Sequence, residues 1–174
     1  MKKISNQFLL LLISCLLLTT SAFAQEERIL SYDVVLEVMK DRSIKVKEDI
    51  VVNATGNAIK RGITRSLPHY RTFQGKKTPI RYNITKVLRD GKPEGYQTGT
   101  QYGNEIMYIG RRDVLLKPGQ YHYTIEYNVP RQVELLEQID EIYWNAIGQD
   151  VKFPIDKASC LVQLPAGANH LQKA

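Results

Sequence analysis

The 174-residue sequence predicts an all-β fold, an immunoglobulin-like antiparallel β-sandwich set behind an N-terminal signal peptide. Three observations predict it. Nearly every patterned stretch after Arg28 alternates apolar and polar residues with period two. Turn signals rich in Gly, Asn, Asp and Pro separate these stretches about every 8–12 residues. Helix-like character is confined to residues 133–139, a stretch too short to organise a helical layer.

The elements follow in chain order. Met1-Lys2-Lys3 is a short positive segment, and residues 8–18 are apolar apart from Ser14. Ala22-Phe23-Ala24 places small residues where a signal peptidase reads, and Gln25-Glu26-Glu27-Arg28 turns charged at once. A greasy run of about 7–15 residues closed by such a site is a signal peptide, and a bilayer span needs about 20. Cleavage is therefore expected between Ala24 and Gln25, dividing the chain into residues 1–24 and an extracytoplasmic domain of residues 25–174. An uncleaved anchor is one alternative. Lipidation at Cys15, in Leu12-Ile13-Ser14-Cys15, is another, although Leu16-Leu17-Leu18 continues the apolar segment past that cysteine.

In the remaining chain, Tyr32, Val34, Leu36 and Val38 share one face, with Asp33 and Glu37 on the other. After the polar turn Lys40-Asp41-Arg42-Ser43, residues Ile44, Val46, Ile50 and Val52 alternate with Lys45, Lys47 and Asp49, which reads as a hairpin with one buried face. Asn53 to Asn57 form a break. Residues 58–71 are less regular, with Pro68 ending any pairing, and residues 69–79 read as a loop. Ile80, Tyr82 and Ile84 resume the alternation up to the Asp90-Gly91 hairpin signal. A weak Gly- and Thr-rich strand over residues 96–102 turns at Gly103-Asn104 into residues 106–109. The cleanest strand carries Tyr121, Tyr123, Ile125, Tyr127 and Val129 on one face. A final strand spans residues 158–164, where the phase of Ala158, Cys160, Val162 and Leu164 predicts a buried Cys160.

Composition narrows the function. There are 24 basic and 18 acidic residues; removing Lys2 and Lys3 with the signal leaves 22 against 18, a net charge of +4. No block of five or six basic residues occurs, which argues against nucleic acid as a partner. Cys160 would be the one cysteine left, so no internal disulfide is expected. The three histidines, His69, His122 and His170, lack metal-ligand spacing, and no G-x-S-x-G elbow or phosphate-cradling glycine loop is present. Catalytic residues, metal and cofactor are accordingly expected to be absent.

Two constellations depart from the plain pattern. Glu48 falls on the inward face of its strand, where a carboxylate must find a cation or a proton. Arg61 and Arg65 on the next segment are the candidate partners, giving a buried charge cluster of Glu48, Arg61 and Arg65; a solvated rim position is the alternative. The second is Asp140, Glu141, Tyr143, Trp144 and Asn145, which places two carboxylates, an amide and two aromatic rings within six residues. Such a mixture suits binding of a sugar or a peptide. Core packing of the tryptophan between sheets is the competing reading.

Five ordered motifs carry a family resemblance: Ser31-Tyr32-Asp33-Val34, residues 61–68, residues 116–123, residues 140–145 and Phe153-Pro154-Ile155. Together they resemble the N-terminal extracytoplasmic domain of the YciQ-like predicted membrane proteins, a domain of unknown function. The resemblance implies a signal peptide, a β-rich domain outside the cytoplasm and, in complete members, a later membrane-spanning part. It implies no reaction or cofactor. The sequence departs from the family at Asp41-Arg42-Ser43, where a central glycine is usual, and at Ala146-Ile147. It also stops at Ala174 without a further apolar stretch, so the expectation is a sandwich short of its last strand and of the spanning remainder. A truncated gene, a fragment and a soluble variant all fit.

The expected function is a non-enzymatic binding or assembly module of the cell envelope, periplasmic or on the cell surface and associated with the membrane. Its partner is an envelope protein, a peptide or a glycan. The alternatives are a carbohydrate hydrolase using Asp140 or Glu141, and a purely structural spacer.

Overall fold

The computed structural model describes residues 26–73, 75–148 and 150–168. The expected signal segment, with Cys15 and the Ala24–Gln25 cleavage point, lies outside the described residues. Among those described there are thirteen strands and no helix. They are β1 (Arg28–Val38), β2 (Ile44–Ala54), β3 (Ile63–Pro68), β4 (Tyr70–Phe73), β5 (Lys76–Pro79), β6 (Asn83–Arg89), β7 (Lys92–Pro93), β8 (Tyr96–Gln101), β9 (Asn104–Ile109), β10 (Gly119–Val129), β11 (Val133–Leu135), β12 (Asp140–Ile142) and β13 (Ala158–Gln163).

The largest sheet has the order β13-β1-β2-β10-β6-β7, antiparallel except where β13 runs parallel to β1. A three-stranded sheet, β3-β9-β8, supplies Leu67, Met107 and Ile109 to the same core as Tyr32, Val34, Val46, Ile50 and Tyr127 of the large sheet. Strict alternation is why this works: on β2, Ile44, Val46, Glu48, Ile50 and Val52 are all buried, so one face of an eleven-residue strand is committed to the interior. Each fully buried aliphatic side chain contributes about 1.5–3 kcal/mol, and a one-residue slip would turn the whole set to water. Two ribbons, β4-β5 and β11-β12, complete the molecule.

The turns follow their chemistry. Asp90 and Gly91 have φ of 52° and 75°, the paired left-handed conformation of a type I′ hairpin turn. Tyr102 and Gly103, at 51° and 78°, make the same turn one residue earlier than the expected Gly103-Asn104. At the start of the described chain, the Glu27 carboxylate accepts five backbone N–H groups from residues 55–59, at 2.6–3.1 Å. Gly62 is required by close approach: a Cβ there would lie 1.7 Å from the Ile109 carbonyl oxygen, so β3 and β9 meet through bare backbone.

Four expectations are corrected. Residues 133–139 form no helix; Val133–Leu135 is a strand, and Leu136 N–H donates to the Ile139 carbonyl at 3.0 Å to turn back into β12. A lone seven-residue helix has few intrahelical bonds, while β12 offers cross-strand ones. Residues 69–79 are mostly the hairpin β4-β5, with Gly75 at φ 74° in its turn. In the irregular stretch after Ala58, Ile63–Pro68 is a regular strand, ended by Pro68. Cys160 is exposed, because β13 occupies a sheet edge where Ala158–Gln163 is uncovered on both faces.

Candidate functional site

The site begins at Glu48. Its carboxylate is completely buried on β2 and accepts from Tyr32 Oη (2.7 Å), Tyr127 Oη (2.5 Å) and the Arg65 guanidinium through Nε (2.8 Å) and Nη2 (2.9 Å). β1, β10 and β3 each supply one partner, so the cluster ties the two sheets together. Burial pushes the phenols of Tyr32 and Tyr127 well above the ordinary value, and the Glu48 charge adds to it. Burial alone would lower the Arg65 guanidinium; Glu48 outweighs it and raises the group. Arg61 does not join. It is exposed, and its Nε donates to the Arg112 carbonyl at 2.8 Å. Arg61 precedes β3 and sits before the Gly62 close approach, so it falls outside the alternation that turns Ile63, Arg65 and Leu67 inward.

Arg65 also reaches outward. Its Nη1 donates to the Ser66 carbonyl at 2.6 Å, and the residue lines a cleft of about 330 Å³. The cleft lies between the β3–β4 segment and the chain after β12, and Tyr143, Trp144 and Asn145 form part of its wall. Gly148 completes that wall. A Cβ on Gly148 would come within 2.4 Å of Arg65 Nη1, so the bare backbone lets the loop close over the guanidinium. Asp150 fastens the same loop to β3 and β9, accepting from Ser66 Oγ (2.9 Å) and Asn104 Nδ2 (3.2 Å).

Arg71 and Gln132 form the remaining polar wall. Arg71, largely buried, pairs with Glu134 and donates to the Arg131 carbonyl at 3.0 Å. Gln132 is 2% exposed; its N–H donates to the Arg42 carbonyl (2.7 Å) and its Nε2 to the Pro130 carbonyl (2.9 Å). Arg42 holds φ at 70°, in the left-handed region that favours glycine.

Of the acidic and aromatic segment, the structure brings Tyr143, Trp144 and Asn145 to the cleft and leaves Asp140 and Glu141 out. Those two carboxylates are exposed on β12, opposite Leu135 and Glu134 of β11. Trp144 serves both readings at once. Its ring packs against the core, 6.5 Å from Tyr82 and 6.4 Å from Tyr127 between centroids, and the residue is also part of the cleft wall. The sequence reading missed Arg71, Gln132, Gly148 and Asp150. They come from separate segments with no shared motif, so only the fold assembles them.

The surroundings of the histidines are modest. His122 lies exposed on β10, 3.0 Å from Asp49, a carboxylate that also accepts from Thr124 (2.7 Å) and pairs with Lys47 (2.7 Å). Among the described residues no group of three or more His, Cys, Asp or Glu side chains stands close enough to hold a metal ion. No helix of the described residues is long and apolar enough to cross a membrane.

Residues 28–173 match the family described as the N-terminal domain of a predicted membrane protein (DUF2207). The uncharacterized protein YciQ of Escherichia coli strain K12 is 30% identical over 163 residues. That match covers 89% of this chain and 26% of YciQ, so the chain spans about a quarter of its relative. Among solved structures, the M1 zinc metallopeptidase from Deinococcus radiodurans shares 13% identity at a TM-score of 0.47, covering 82% of this chain and 33% of that one. Native yeast LTA4 hydrolase shares 10% at 0.43, covering 61% and 15%. Likenesses this distant give no ground for reading peptidase chemistry into the chain.

Proposed function

This chain belongs to the DUF2207 family of predicted membrane proteins, as its N-terminal domain, and from that premise we propose that it is a non-enzymatic binding or assembly module exported to the cell envelope. The observation that carries the proposal is the cleft in which Tyr143, Trp144 and Asn145 meet Arg65, Arg71 and Gln132. Its volume falls at the small end of the about 300–1,000 Å³ of ligand sites, and it mixes aromatic area with fixed polar groups as such sites do. Export rests on the segment ending at Ala24, and placement at the periplasmic or outer cell surface follows from it. For the fold we keep the immunoglobulin-like sandwich as part of the proposal, supported by two sheets sharing one core.

Hydrolysis through Asp140 or Glu141 has less support, since neither carboxylate lines the cleft and neighbours on a strand point to opposite faces. The spacer reading draws on the Trp144 ring packing into the core. Paired peptide and glycan arrays, probed with the chain and with Tyr143→Ala, separate the three. Tyr143 is 66% exposed, so its truncation leaves the core intact, and retention on the array should drop by about tenfold or more. Product release from an array feature that stops with Asp140→Asn or Glu141→Gln would establish the enzyme instead. Equal retention, or none, by both proteins would leave the spacer.

A further inference from the structure

The positive charge that runs thinly along the sequence gathers at one end of the fold. Lys60 and Arg61 precede β3, and Arg111, Arg112 and Lys117 lie in the link from β9 to β10; all five are exposed. Asp113 is the one carboxylate of these two segments, so residues 60–61 and 111–117 carry a net charge of +4. That equals the surplus of the whole chain after residue 24, and the rest of the domain is balanced. Carboxylates on the flanking segments are engaged elsewhere: Glu94 pairs with Arg89 at 2.9 Å, and Glu27 accepts the backbone N–H groups of residues 55–59.

Backbone contacts hold the two basic segments together. Leu116 N–H donates to the Lys60 carbonyl and Arg61 Nε to the Arg112 carbonyl, both at 2.8 Å. A Cβ on Gly110 would lie 2.0 Å from the Arg61 carbonyl oxygen, so the segments meet through bare backbone on this side as well. Leu116 is buried and anchors the link, while Leu115 beside it is 64% exposed, between Arg112 and Lys117 in the chain. Tyr96, 41% exposed, stands at the edge of the patch, next to Gly95, whose carbonyl receives the Gly110 N–H at 2.8 Å.

We propose that this end of the domain docks on an anionic bilayer surface. The five cations meet lipid phosphates, Leu115 enters the boundary between headgroups and acyl chains, and Tyr96 lies at headgroup level. Leu115 favours a bilayer over a soluble polyanion, which offers phosphates and no apolar layer beneath them. The proposal goes beyond the binding-module reading and uses none of the cleft residues. β3 and β9 run from the patch to the cleft, which Ser66, Leu67, Pro68 and Asn104 line at their far ends. Six residues of strand span about 17–20 Å, so a domain docked this way holds its cleft about that far from the lipid.

Co-sedimentation of the full chain with vesicles tests this, comparing phosphatidylcholine alone with phosphatidylcholine and phosphatidylglycerol at about 2:1. The apolar residues 8–18 are common to every sample, so the readings are differences between vesicles and between variants. The unsubstituted chain should prefer the anionic vesicles by about a hundredfold or more, and salt should erode that preference as the Debye length shrinks. Lys60→Gln combined with Arg112→Gln should weaken binding about 25-fold, about fivefold for each cation. Both side chains are exposed and only their carbonyls hold the segments together, so the variant keeps the fold. Leu115→Ser should weaken vesicle binding about tenfold and leave binding of soluble polyphosphate unchanged. Lys45→Gln combined with Lys86→Gln, which takes the same charge from the face of the large sheet, should bind as the unsubstituted chain does. No binding, equal binding to both kinds of vesicle, or an equal loss from the Lys45 and Lys86 pair would overturn the proposal. Unchanged vesicle binding by Leu115→Ser, with release of the chain by free polyphosphate, would make the patch a site for soluble polyanions and overturn the bilayer as its partner. These outcomes leave the cleft reading to its own test on the arrays.

Discussion

Glu48→Gln removes a single charge from the place where the two sheets are joined. The arginine opposite keeps its own charge, buried at 5% residual exposure, and the new amide presents N–H to guanidinium N–H. Leaving one member of a buried pair uncompensated costs about 3–5 kcal/mol. The phenols of Tyr32 and Tyr127 also lose an ionised acceptor, which places the variant at the upper end of that range. Against a total of about 5–15 kcal/mol for a domain, this is a large fraction. Trp144 is the sole tryptophan and its ring lies 6.4 Å from that of Tyr127, so its fluorescence in a urea titration reports the cluster directly. With a slope of about 2 kcal/mol per molar, the midpoint should fall by about 2.5 M at unchanged slope. Arg65→Met in the Glu48→Gln background should restore part of the loss, since it removes the orphaned charge. A cost below about 0.5 kcal/mol, or strictly additive effects of the two substitutions, would refute the view that the pair is coupled and desolvated.

Three further outcomes follow from the same geometry. Burial raises the phenols of Tyr32, Tyr127 and Tyr123, the last to about 12, so the folded state holds protons that the unfolded chain releases near pH 10. Their stability is complete below that pH and is lost as pH rises, by about 1.4 kcal/mol per pH unit for each tyrosine, and tyrosinate absorbance at 295 nm should lag and then rise together with unfolding. Burial raises the Glu27 carboxyl, but the backbone N–H groups of Ala58, Thr55, Ile59 and Asn57 outweigh it and hold it below the usual 4.5; its stabilisation is present above that pH and lost as pH falls, and Glu27→Gln should cost about 1.5–3 kcal/mol by thermal melts at pH 7, a cost that shrinks as pH is lowered below 4.5. Arg42→Gly should stabilise the domain by up to about 1 kcal/mol in urea, because glycine takes φ 70° without steric cost and leaves the carbonyl that receives Gln132 in place; destabilisation would show that the Arg42 side chain has its own role.

Period-two alternation on long strands determined the class, the hairpin β1-β2 and the strand β10, because any residue facing a core must recur every second position. It also determined that Glu48 points inward, since its neighbours Val46 and Ile50 leave it no other face. The Asp90-Gly91 turn and the family motifs were equally legible, being local chemistry. Pairing between distant segments was beyond it. Short stretches such as residues 70–79 and 133–142 have weak patterns of their own and become strands by finding a partner, and Cys160 keeps its phase with Val34 on a sheet edge that none of the described residues covers. Arg61 and Arg65 look interchangeable in the chain. Gly62, pressed against the Ile109 carbonyl, separates them, so one reaches the core and the other the solvent. The cleft is the clearest case. Arg71, Gln132 and Trp144 lie on three segments, and only the tertiary fold brings them to the walls of one cleft, since that depends on neighbours in space and the sequence lists only neighbours along the chain.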